Sequence, residues 1–93
     1  MTLFFPEEKD PTDFDFYEAE VDSDWLGGET IAAVDFSPAD DSGLTLANVG
    51  YLGNVVRAQL GGGVTGTHAI EITVTTSTGR VRQRTVFLVV REK

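Results

Sequence analysis

The chain has 93 residues, no cysteine and a formal charge of −8. That length holds one domain, and the missing cysteines exclude a disulfide framework, a thiolate metal site and a cysteine nucleophile. An acidic chain is a poor ligand for a phosphate backbone, and no run nears the ~18 apolar residues of a membrane span, so neither nucleic acid nor membrane is an expected partner.

An apolar content of 41% suits a folded core rather than general disorder. Pro6-Glu7-Glu8 follows Met1–Phe5, which lacks the basic flank and apolar run of a signal peptide; cytoplasmic synthesis without signal-dependent export is expected. The charge is split. Residues 1–47 carry thirteen acids and one base, Lys9, whereas residues 48–93 carry six bases and two acids. Copies could stack head to tail, acidic half on basic half, or the two halves could lie side by side and neutralise each other within one domain.

Residues 1–13 read as an extended arm, because Pro6 and Pro11 lack the amide donors a central strand needs. Phe4 and Phe5 on that arm either fold back onto the core or dock into a neighbour. From Asp13 to Val21 the pattern alternates, with Phe14 and Phe16 on one face and Tyr17, Ala19 and Val21 on the other; the parity switch predicts a bulge or a crossing between sheets. Asp22-Ser23-Asp24 breaks the strand, and Trp25-Leu26 follows as a plug before the Gly27-Gly28 turn. Strands are predicted over 29–36, 44–51 and 55–60, separated by the acidic loop 37–43 and the Gly53-Asn54 turn. The glycines between 61 and 66 read as a flexible crossover.

The last third is a hairpin, residues 67–76 and 81–91, around Ser77-Thr78-Gly79-Arg80. Pairing Thr76 with Val81 puts Ile70, Ile72, Val74, Val81, Phe87 and Val89 on one face and Arg82 and Arg84 on the other. A slip by one residue would set Ile72 against Arg84, so the first register is predicted. The run Val86–Val90 is apolar on both faces and should be the most buried strand.

Short antiparallel strands at this spacing give an all-β fold, an immunoglobulin-like sandwich of six to seven strands over residues 14–93 with the arm 1–13 in front. No second domain remains for an active site, and a non-enzymatic binding or assembly role is expected. His68, the one histidine, reads as structural, and no nucleophile motif accompanies it. No catalytic, cofactor or metal site is assigned. Asp22, Asp24, Asp40 and Asp41 would form a weak calcium site only if their loops met at one end of the sandwich. Gly61-Gly62-Gly63 lacks the Lys-Ser/Thr and helix of a phosphate loop. Partner contacts are assigned to Phe4, Phe5, Arg82 and Arg84. A carbohydrate-binding or adhesion module is the alternative, and it requires Trp25, Tyr17 and Tyr51 exposed on one surface.

Asp24-Trp25-Leu26, Gly27-Gly28-Glu29-Thr30-Ile31, Gly62-Gly63 with Gly66, and Thr76-Ser77-Thr78-Gly79-Arg80 before an apolar strand form a pattern. Together with Lys9-Asp10-Pro11, it resembles small tailed-bacteriophage structural proteins of the fiber–tail adaptor or tail-associated type. The resemblance covers nearly the whole chain. It implies a virion location, other virion proteins as partners, and repeated copies in a homo-oligomer.

Overall fold

Alternation of apolar and polar residues becomes seven strands in the structure, a computed structural model that describes residues 3–22 and 24–92. Met1 and Thr2 of the arm, Ser23 of the polar break and the base Lys93 lie outside the described residues. The strands are β1 (Leu3–Phe4), β2 (Asp15–Glu20), β3 (Ile31–Pro38), β4 (Leu44–Leu52), β5 (Val55–Gly62), β6 (Gly66–Thr76) and β7 (Val81–Val90). They form two sheets, ordered β1-β7-β6-β3 and β2-β5-β4. All pairings are antiparallel except β1 on β7. The protein is a β-sandwich.

The inward faces meet in one core. Tyr17 and Val21, Val56, Ala58 and Leu60 come from one side; Phe36, Ile70, Ile72, Val74, Val86, Leu88 and Val90 come from the other. Leu26 plugs one end, and Phe5 folds back from the N-terminal segment. Period-two burial removes these side chains from water, the main stabilising term for a sandwich this small.

The terminal hairpin adopts the register that the facial argument rejected. Thr75 pairs with Val81, Val74 with Arg82, Ile72 with Arg84 and Ile70 with Val86. The connection is longer than a tight turn: Thr76 N–H donates to Arg80 O at 2.8 Å and Gly79 N–H to Thr76 O at 2.9 Å. Gly79 sits at φ +90°, where a side chain would be strained. Val86, Leu88 and Val90 therefore point inward, and Val81 is exposed. Arg82 and Arg84 share the inward face but lie at its end, beneath the Trp25 loop. That loop relieves the cost on which the predicted register depended. Phe87 and Val89 point outward and are half-buried, and the Phe4 ring lies 5.7 Å from that of Phe87.

The β2 parity switch has a different resolution from the expected bulge. β2 pairs with β5 without a register shift. Tyr17 is buried, while the guanidinium of Arg57 covers Phe16 at 4.0 Å from the ring centroid. Phe14 lies over Gly61, which leaves it the space of a missing side chain. Bulges occur instead in β3, between Ile31 and Ala33, and in β4, between Ala47 and Gly50. The predicted crossover begins later than expected, since Gly61 and Gly62 belong to β5.

Candidate docking site

The N-terminal segment is stitched to both sheets. Phe5 N–H donates to Phe87 O and Lys9 N–H to Val89 O, both at 2.9 Å, and Arg91 N–H donates to Lys9 O at 2.8 Å. The Lys9 side chain is fully buried. Its ammonium donates to the carbonyls of Asp10 at 2.9 Å, Gly62 at 2.7 Å, and Asp13. Three protons meet three carbonyls, which is how a buried charge is tolerated. Burial pulls the lysine below its usual range, and the charges of Asp13 and Asp10 oppose the shift. Of the two phenylalanines assigned to partner contact, Phe5 is in the core and Phe4 is exposed.

Arg82 and Arg84 are occupied within the chain. Arg82 Nε donates to Trp25 O at 3.4 Å, and the Arg84 guanidinium lies 4.8 Å from the Trp25 ring centroid. Alongside, Thr78 Oγ1 donates to Glu29 at 2.6 Å. The hydroxyls of Thr76 and Thr78, then the charges of Arg80 and Arg82, hold the Glu29 carboxyl below the usual range. Arg57 pairs with Glu18 at 3.7 Å and Arg91 with Glu8 at 3.5 Å. Arg57 and Arg91 of the basic half thus pair with acids of the N-terminal half within the same chain.

A cleft of about 70 Å³ opens between the N-terminal segment and β2, lined by Phe5, Pro6, Glu7, Phe16, Tyr17 and Glu18. It is far below the ~300–1,000 Å³ of a small-molecule pocket and suits one side-chain head group. Phe5, Phe16 and Tyr17 make its walls, and the exposed Glu7 and Glu18 its rim. Burial pushes the Tyr17 phenol up to about 12, with the charges of Asp13, Asp15, Glu7 and Asp10 adding to it. Sequence reasoning missed the cleft. Its carboxylates were visible, but the return of residues 5–7 beside β2 is set by Lys9 reaching Gly62 across 53 positions.

The model of one family, the podophage GP4 fiber-tail adaptor protein gp77, matches residues 9–89. The chain belongs to this adaptor family. No curated protein matches it. The matched span of the adaptor starts at Lys9, the residue that locks the N-terminal segment, and runs into β7. The family is a structural one, and membership makes this chain a phage tail component. No helix among the adaptor's described residues is long and apolar enough to cross a membrane.

The adaptor's other candidate residues lie apart. His68 Nε2 donates to Val64 O at 2.7 Å, a bond that fixes its tautomer. Asp22 and Asp24 precede β3 while Asp40 and Asp41 follow it, so these loops lie at opposite ends of a strand roughly 25 Å long. Among the described residues no three His, Asp or Glu side chains converge on a metal position. Tyr17 is buried, Trp25 half-buried under Arg84, and Tyr51 exposed with its hydroxyl on Ala32 O at 3.1 Å, so the three aromatics do not share a sugar-binding surface.

Proposed function

We propose that the adaptor is a non-enzymatic assembly module of the virion, made in the host cytoplasm, that binds other tail or fiber proteins. The family match over residues 9–89, which takes in nearly all of the sandwich, carries this reading. We read the sandwich of residues 14–93 as immunoglobulin-like and residues 1–13 as its arm. The orders β2-β5-β4 and β7-β6-β3 correspond to the B-E-D and G-F-C sheets of that fold, with the first strand beside G. Phe4, exposed beside Phe87, is the direct contact of the four assigned residues. Phe5, Arg82 and Arg84 act on the surface indirectly, by holding the arm and the Trp25 loop.

The test is a phage lacking this chain, complemented with the wild type or with Phe4→Ser. Particles without it should retain tails and lose fibers in negative-stain images and in protein content, and Phe4→Ser should restore fibers only in part. Normal fiber content in its absence would overturn the reading.

A further inference from the structure

We propose that the cleft between residues 5–7 and β2 receives a lysine or arginine side chain from a basic segment of another protein. This rests on the adaptor reading and specifies the chemistry of the partner. The walls supply Phe5, Phe16 and Tyr17 to the alkyl stem, and the rim supplies the carboxylates of Glu7 and Glu18 to the cation. At 3.7 Å, Glu18 and Arg57 form an ion pair longer than a hydrogen bond, so the carboxylate keeps lone pairs for a further donor. The charges of Asp13, Asp15, Glu7 and Asp10 act on the same spot, as their effect on Tyr17 records.

Charge complementarity disfavours a second copy as the occupant. The chain carries −8, and most of its described bases are engaged: Lys9 by three carbonyls, Arg57 by Glu18, Arg82 and Arg84 by Trp25, and Arg91 by Glu8. Two copies brought together at the cleft would set acid against acid. The matching positive charge comes from a different chain.

The probe is the capped peptide Gly-Arg-Gly-Arg-Gly titrated into 15N-labelled protein at low salt, beside the same peptide with uncharged citrulline for arginine. The arginine peptide should shift the amides of Phe5, Glu7, Phe16, Tyr17 and Glu18, and the citrulline peptide should not. Glu7→Gln and Glu18→Gln, both surface changes, should each weaken binding about threefold, and added salt should weaken it further. Equal shifts with citrulline, or shifts spread evenly to the Asp40-Asp41 loop, would overturn the proposal. So would self-association at low salt that Glu7→Lys abolishes, since the occupant would then be a second copy. Fiber attachment in the complementation test is read independently, so failure here leaves the adaptor reading intact.

Discussion

The ammonium of Lys9 donates a 2.7 Å hydrogen bond to the carbonyl of Gly62, tying the N-terminal segment to the end of β5. The backbone of the same residue pairs with β7. One lysine therefore joins both sheets and holds residues 5–7 where they wall the cleft. Lys9→Met should leave three carbonyls without their donor and cost about 2–4 kcal/mol in urea unfolding. Lys9→Arg should not restore stability, because a planar guanidinium does not match carbonyls arranged around a point charge. Wild-type stability in Lys9→Met would refute this assignment.

Arg84 lies on the Trp25 ring while Arg82 holds the Trp25 carbonyl. Arg84→Ala should destabilise through lost packing as well as lost charge. A double-mutant cycle with Trp25→Ala should give a coupling of about 0.5–1 kcal/mol. Tryptophan fluorescence should report a more solvated Trp25 in Arg84→Ala; an unchanged emission maximum would count against the contact.

This pair also explains what the sequence could and could not disclose. Alternation placed β2 to β7 because burying one face imposes a period of two, and it set Ile70, Ile72 and Val74 on the inward face of β6, but it put Val81, Phe87 and Val89 there as well, which β7 turns outward. The hairpin register was not legible from local patterning. Arg82 meets its partner Trp25 across 57 positions, and without that partner an inward arginine looks prohibitive. The family resemblance could be read from turn and strand motifs. The cleft could not, since it depends on two segments meeting through a buried lysine that reads as a surface residue.

A side chain at Gly61 would sit 2.7 Å from Phe14 Cδ1 and 2.9 Å from Thr45 Oγ1. The backbone there is ordinary, so the conflict is steric alone. Gly61→Ala should cost about 1 kcal/mol in thermal or urea unfolding. In a Phe14→Ala background the same change should cost under about 0.5 kcal/mol, because Thr45 can rotate its hydroxyl away. Equal costs in both backgrounds would show that Phe14 does not fill that space.

Tyr17 gives the domain an alkaline limit. Its phenol ionises near 10 in the unfolded chain and at about 12 in the folded one. Between those values the folded state holds a proton that the unfolded state has lost, so stability is full below pH 10 and falls as pH rises toward 12. The loss should reach roughly 2–3 kcal/mol. In a Tyr51→Phe background, absorbance at 295 nm should follow Tyr17 alone, rising late and together with unfolding. Ionisation of Tyr17 near pH 10 in the folded protein would contradict this.

Two strands at the ends of their sheets use the same device. Asp15 accepts the amide of Phe16 at 2.7 Å on β2, and Asp35 accepts the amide of Phe36 at 3.0 Å on β3. β2 and β3 end their sheets, and an outward amide on an end strand is a template for another chain. Each aspartate occupies that donor with its own carboxylate and adds negative charge beside it. The bulges in β3 and β4 blunt their edges in a second way. β2 has no bulge, so Asp15 matters most there. Asp15→Ala should fold with little change in melting temperature yet aggregate several-fold faster, by order of magnitude, in light scattering at moderate salt, where charge repulsion is screened. Asp35→Ala should aggregate less, since its bulged neighbour still spoils strand addition. Asp15→Asn separates the two contributions: it keeps the oxygen acceptor and loses the charge, so it should fall between wild type and Asp15→Ala. Aggregation of Asp15→Asn equal to that of Asp15→Ala would assign the protection to charge alone.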